Sequence, residues 1–503
     1  MQDLKELVSV VSRHKIKQIE IVGNEDPDAN SKFQQLYDLV QSGQIQSDLQ
    51  AMALLYPNRK NPKEPYAKLK NRLKNRLINT LFFIDINQPQ FTDIQQAFFT
   101  CNKNWMAART LISRGATSPA IKLAENTIRV TLKYEFTELI IYLSKQLLWH
   151  YSVINGNDKK YNYYNKVLKQ SLADLEAETL AEQYYSEILK EFSKSQATIK
   201  DVIRQRAIEY SNILKSRFEN IISFRFIRIS YLLHIIRFQI NGEFDKAIIT
   251  CNKAISIIED KPYNSRGALL SFNLRLLSCY IQVKQFEDAK ELSSHYSQTL
   301  QSGSFNWYII QFYYFLACIH SKDYNLSSIV LQKTIFHPKF DTLYDNQKQL
   351  WYVNQAFLHF LTEIGKVNHL ASVNKKKFRL YKFLNDIPIY SKDKQGINIS
   401  ILVVHVLLLL QQRKFLKIID RVDALNQYCH RYLRRDDTFR ANCFIKMLLQ
   451  MAKADFNRIR TQRYAEKYKI KLFSMPLHVA DHGIEVEIVP YEHLWEMVLN
   501  LLD

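Results

Sequence analysis

Tyr231–Ile258, YLLHIIRFQINGEFDKAIITCNKAISII, is the stretch whose reading decides the fold. Apolar residues at helical spacing run to Ile240, Asn241–Glu243 interrupt them, and a second apolar series follows. Gly242 can adopt the left-handed conformation that ends a helix, Phe244 can wedge between two helices, and Ala247 and Ala254 let the backbones approach closely. The stretch therefore reads as two helices joined by a tight turn.

The same frame recurs in LSCYIQVKQFEDAKEL, with Tyr280, Phe286 and Ala289, and in LACIHSKDYNLSSIVLQ, with Cys318, Tyr324 and Ser327. Ala247, Ala289 and Ser327 lie 42 and 38 residues apart. Weaker copies surround Gly115 and Ala120, and Leu409 and Phe415. A period of this size marks an array of stacked helix pairs. These residues resemble the tetratricopeptide repeat, with good agreement over 224–338 and moderate agreement over 104–168 and 399–433. The resemblance implies an all-α, right-handed solenoid of degenerate helix pairs, with a concave groove for a peptide or partner domain. Tyr280, Trp307, Tyr313 and Tyr314 are the aromatic anchors expected there, and inter-helix packing is their alternative role. Most copies lack the Trp, Leu and Gly of the family's first helix, and the spacing exceeds the family's usual repeat, which points to longer helices.

Composition agrees with a helical chain. Ten Gly and eleven Pro among 503 residues leave little turn-forming punctuation, and 47% of the residues are apolar, ample for a core. No Gly or Pro interrupts 158–240, which predicts long paired helices. The most apolar run, Ile399–Leu410, is too short for a membrane span of about twenty residues and reads as a buried helix. Six cysteines without a C-x-x-C pair read mostly as buried thiols of a reduced, cytoplasmic, bacterial protein with no membrane partner. Two alternating segments, Ile16–Val22 and Ile484–Val489, read as strands, and YEHLWEMVLNLLD reads as a capping helix.

Lys and Arg number 69 against 49 acidic residues, a formal charge of +20. Such a surface attracts nucleic acid or an acidic protein, although AT-rich coding also enriches Lys. The densest cationic segment is YAKLKNRLKNRLINTLFFI, Tyr66–Ile84, which follows SDLQAMALLYPNR. The pair resembles the winged-helix module that precedes tetratricopeptide repeats in some bacterial transcriptional regulators, with Tyr56 in place of a Trp. That resemblance implies a helix in the major groove, with Lys68, Lys70, Arg72, Lys74 and Arg76 on phosphates and Asn71 and Asn75 on base edges. The alternative is a solvated amphipathic helix packed on its neighbours. Further basic runs lie at Lys375–Lys382 and over 453–471, where Arg458, Arg460, Arg463, Lys467 and Lys469 gather among aromatics.

No phosphate loop, nucleophile elbow or H-E-x-x-H motif occurs, and the carboxylates of Asp174, Glu176 and Glu178 read as a solvated helix face. His478 and His482 flank Asp481, but Pro476 and Gly483 place them in a loop. The expectation is a non-catalytic scaffold without cofactor or metal, binding a protein or peptide, with self-association through an incompletely capped end. The alternative is a nucleic-acid-binding regulator that uses helix 66–77. The expected division is 1–90, an N-terminal helical module; 91–384, the repeats; and 385–503, further repeats and caps, joined by the polar segment Asn385–Asn398.

Overall fold

The computed structural model describes residues 1, 3–5, 7–8, 32–81, 84–87, 91–192, 200–217, 221, 223–263, 265–368, 397–433, 438–475, 477 and 487–502. Among them the chain is all-α, consecutive helices pack on one another, and no strand forms. It divides into two compact units, Met1–Asn165 and Lys166–Asp503. The expected boundaries at 90 and 384, the segment Ile16–Val22, the basic run Lys375–Lys382 and the pair His478 and His482 lie outside the described residues.

The first unit begins with α1 (Lys32–Gln41), α2 (Asp48–Leu55) and α3 (Lys63–Thr80). Leu36, Ile45, Ala51, Leu73 and Leu77 form their buried core. Ser47 starts α2 with a capping box, its hydroxyl accepting from the Gln50 amide while the Gln50 side chain accepts from the Ser47 amide. Next come α4 (Asp93–Ser113), α5 (Thr117–Tyr134), α6 (Thr137–Trp149), a π-helical turn (His150–Ile154) and the start of α7 (Asp158–Phe192). Ile121, Ala124 and Ile128 of α5 bury against Leu143 and Leu147 of α6.

In the second unit the rest of α7 precedes α8 (Lys200–Lys215), α9 (Phe224–Ile240), α10 (Phe244–Glu259), α11 (Arg266–Gln282), α12 (Phe286–Thr299), α13 (Phe305–His320), α14 (Tyr324–Ile335) and α15 (Asp345–Glu363). There follow α16 (Ile397–Gln411), α17 (Phe415–Ile419), α18 (Val422–Tyr432), α19 (Phe439–Lys453), α20 (Arg458–Phe473) and α21 (Tyr491–Leu501). The Gly-free stretch forms long helices: α7 runs 35 residues. Glu191 with Arg206, Glu187 with Tyr210 and Glu176 with Arg217 pair in opposite numerical order, so α7 and α8 are antiparallel. Glu178 is a correction. It was expected on a solvated face, yet it is buried. α16 is buried almost throughout, as its apolar run requires.

One turn geometry recurs at helix ends of this unit. Gly242, Lys284, Lys322, Gly365, Arg413 and Asp455 all have positive φ, and are 42, 38, 43, 48 and 42 residues apart. At each, the amide donates to the carbonyl three residues back and the next amide donates to the carbonyl five residues back, from Gly242 to Gln239 through Phe456 to Met451. This is the Schellman cap, which satisfies carbonyls that a helix end would otherwise strand. Gly115 and Glu135 repeat it in the first unit. Five residues after the turn, Ala247, Ala289 and Ser327 are fully buried, and Cys251 and Ser293 extend the small stripe one turn further. Close helix approach thus depends on the small residues, while the turn tolerates Lys or Arg.

That tolerance has a measurable cost, because a left-handed L-residue is disfavoured by about 1–2 kcal/mol and Gly is not. Lys284, exposed at φ 64°, makes the cleanest test. Allowing for the entropy that Gly loses on folding, Lys284→Gly should stabilise the protein by about 0.5–1 kcal/mol. Gly242→Ala should destabilise it by a similar amount. Urea unfolding of both variants checks this; a loss of stability in Lys284→Gly would show that the turn is not under this strain.

The C-terminal helices are tied by a buried ionic cluster. Arg440 of α19 donates from Nε to Glu487 Oε1 at 2.5 Å, and from Nη2 to Glu487 Oε2 at 3.1 Å and to Glu492 Oε1 at 2.8 Å. Its Nη1 donates to the carbonyls of Leu472, 2.9 Å, and Met475, 2.5 Å. The Tyr491 amide donates to Glu487 Oε2, and the Glu487 carbonyl meets His320 Nε2 of α13 at 2.9 Å. Here too the sequence misled. Of the expected strand Ile484–Val489, the described residues Glu487–Val489 form no ladder, and Glu487 turns inward to Arg440. α21 does pack into the core, through Leu494, Trp495 and Val498, with Tyr491 stacked on Phe444 at 4.4 Å.

Candidate partner-binding surfaces

The cations of α3 do not share one face. Leu73 and Leu77 turn into the module core, and helical spacing then carries the flanking side chains to its edges. Lys70 Nζ donates to Asp48 Oδ1 at 2.8 Å, Tyr66 donates to the same oxygen at 2.7 Å, and Lys74 Nζ donates to Asp3 at 3.2 Å. Burial alone would raise the Asp48 carboxyl, but the bonds from Lys70 and Tyr66 outweigh it and hold it at about 2. Arg72 and Arg76 both lie over the Phe33 ring, at 5.7 and 5.6 Å. Of the expected contacts, Lys68, Asn71, Arg72 and Asn75 are exposed, spaced so that they line one side of the helix, and Lys68 also donates to Glu64 at 2.7 Å. Three of the expected contacts, Lys70, Lys74 and Arg76, are half-buried against their own module.

The four aromatic anchors also divide. Trp307 is 0% exposed, and its Nε1 donates to the Ser297 carbonyl at 3.2 Å; Tyr313 is buried as well. Tyr280 and Tyr314 are half-buried, and burial raises both phenols above their usual value. Of the set, these two retain surface that a ligand could touch.

A different group of side chains, unmarked in the sequence, is exposed on the first unit. Helix α4 buries only Cys101 and Ala108, and leaves Phe98, Phe99, Met106 and Ile112 in solvent. Trp105 stacks on Tyr142 of α6 at 4.9 Å, and Arg109 lies over Trp105 at 5.5 Å. On α6 and the π turn, Tyr142, Trp149, Val153 and Ile154 are exposed, with Trp149 at 64%. The π turn contributes to this by shifting the register: Tyr151 points inward, where its hydroxyl donates to Glu125 at 2.7 Å and accepts from Lys160 at 2.9 Å. The available signal was the helix DIQQAFFTCNKNWMAARTLIS itself, whose apolar residues occupy more of its circumference than a single neighbour covers.

α20 presents a third surface. Thr461, Ala465 and Leu472 face α19, so Arg463, Lys467 and Lys471 form an exposed ridge on the far side, beside Ile459, Ile470 and Phe473.

Among the described residues one Ser–His contact, Ser302 Oγ to His337 Nε2 at 3.0 Å, lies at the surface, and another is enclosed. Ser211 Oγ meets His234 Nδ1, with Arg237 donating to the hydroxyl at 3.2 Å, but Ser211 is wholly buried. Burial, then the neighbouring Arg237, lowers His234 to about 4. All six cysteines are buried thiols. Among the described residues no group of three or more His, Cys, Asp or Glu side chains is placed to hold a metal, and no helix is long and apolar enough to cross a membrane. No family model matches the chain. Neither a curated protein nor a solved structure matches it.

Proposed function

We infer that this protein is a non-catalytic helical-repeat scaffold that binds another protein, through helix pairs stacked as a right-handed solenoid. The observation that carries the reading is the exposed apolar surface of α4, α6 and the π turn. Exposed apolar side chains on two packed helices, linked by the Trp105–Tyr142 stack, are unfavourable in water, and aromatic residues with Met and Arg are the types that interfaces favour. The Schellman turns at Gly115 and Glu135 brace the helices that carry this surface, and in the second unit the half-buried Tyr280 and Tyr314 suit a second contact in a groove.

Photo-cross-linking tests this directly. A benzoylphenylalanine at Met106 or Tyr142, in the cell of origin, should join the chain to a second polypeptide. Cross-links confined to the chain's own residues would overturn the reading, since the surface would then be covered from within.

A second reading, a nucleic-acid-binding regulator with a winged-helix-like module, rests on the shared exposed side of Lys68, Asn71, Arg72 and Asn75. Its control must spare Lys70 and Lys74, which hold the module together. Duplex DNA titrated by anisotropy at two salt concentrations should bind more weakly to Lys68→Glu/Arg72→Glu than to the parent. Equal binding by the two would remove this reading.

A further inference from the structure

The outward side of α20 combines two features that the fold itself does not use. Arg463, Lys467 and Lys471 recur at every fourth residue, so their charges step about 6 Å apart along one ridge. Among the described residues none of the three meets a carboxylate, whereas Arg460 pairs with Asp455 at 3.4 Å and Lys469 with Glu466 at 3.6 Å. Beside it Ile459 is 78% exposed, Ile470 62% and Phe473 50%, and Glu466, which falls between them at helical spacing, has its charge offset by Lys469. The helix carries six cations and one acid, in a chain of net charge +20.

We propose that this side of α20 is a docking surface for an acidic amphipathic helix of a partner protein. Carboxylates four residues apart on a helix repeat at the same axial step as the cation ridge, so one such row can face Arg463, Lys467 and Lys471 together. Exposed ion pairs contribute little individually. Affinity comes from the second ridge, where apolar side chains beside the acidic row cover Ile459, Ile470 and Phe473. Single-stranded nucleic acid fits less well. The exposed apolar groups are chiefly aliphatic, and the rings of Tyr464 and Tyr468 already lie under Arg463 and Lys467, at 5.3 and 4.9 Å, where stacking bases would have to displace them. The proposal extends the scaffold reading to a named partner chemistry on a separate surface, so cross-linking at Met106 or Tyr142 can fail without affecting it, and the reverse.

The test uses the full chain and a labelled synthetic helix with Glu at every fourth position on one ridge and Leu on the next. A scrambled peptide of equal composition and a single-stranded oligonucleotide are the comparisons. The amphipathic peptide should bind, and both Arg463→Glu/Lys467→Glu/Lys471→Glu and Ile459→Ser/Ile470→Ser should weaken it about tenfold or more. The changed residues are exposed, so the melting curves of both variants should match the parent's and exclude misfolding. Equal binding of the scrambled peptide would reduce the surface to unspecific attraction. Tighter oligonucleotide binding, indifferent to the Ile changes, would make it a nucleic-acid surface. Either result, or no peptide binding at all, overturns the proposal.

Discussion

Arg440→Met should destabilise the protein by about 3–5 kcal/mol, more than any change on an exposed face, because it strands two acids around a buried site. All five N–H donors of the Arg440 guanidinium are engaged, two by backbone carbonyls and the others by Glu487 and Glu492. Glu487 is 5% exposed, so on losing its partner it must take up a proton or remain as an uncompensated charge. Arg440→Met/Glu487→Gln should recover part of the loss, since the neutral amide removes the stranded charge while still meeting the Tyr491 amide. Chemical denaturation of the parent, the single and the double variant provides the comparison. A loss below about 1 kcal/mol in Arg440→Met would show that the cluster is solvated and does not join α19 to α21.

The second large effect is acid lability. Burial, outweighing a bond to the Glu487 carbonyl, lowers His320 from 6.5 to about 4, and the neighbouring His493 acts in the same direction while Glu492 opposes it. The neutral ring donates from Nε2 to that carbonyl, and its Nδ1 is buried and meets no partner among the described residues. Between about pH 4 and 6.5 the unfolded chain therefore binds a proton at this residue that the folded chain refuses, so stability falls as pH falls across that window. His320 alone contributes about 3 kcal/mol of that loss once the pH is below 4. His234 and His405, each lowered to about 4 chiefly by burial, act with the same sign. Asp48, held at about 2, loses its contribution only in stronger acid. His320→Gln keeps a donor for the Glu487 carbonyl and removes the titration. Its unfolding free energy should decline less than the parent's from pH 7 to pH 4, and equal slopes would refute the role of His320.

Much of the helical organisation was legible in the sequence for local reasons. The turn before Phe244, Phe286, Tyr324 and Phe415 is readable because a helix must satisfy its last carbonyls within a few residues, and an aromatic follows each time. The long helix α7 follows from the lack of Gly and Pro, and the burial of α16 from its apolar run. The turn residue itself was less legible. Gly marks it at positions 242 and 365, but Lys284, Lys322 and Arg413 adopt the same backbone, because a Schellman cap fixes φ through hydrogen bonds that any residue can make at some cost.

The candidate surfaces depended more on packing. Composition placed cations on α3 but did not distinguish Lys70 and Lys74, held by Asp48 and Asp3, from Lys68 and Arg72, which face solvent. The partners of those pairs are 22 and 71 residues distant in sequence. Trp307 and Tyr314 are seven residues apart on one helix, yet one is enclosed and the other partly open. By itself the sequence determined that the chain forms amphipathic helices joined by repeated tight turns, since period, caps and small residues act within a few positions. Only the tertiary structure decided which side of each helix remains for a partner, and it brought Glu487 to both Arg440 and His320. Exposure and charge pairing are set by neighbours remote in the chain, and no local pattern records them.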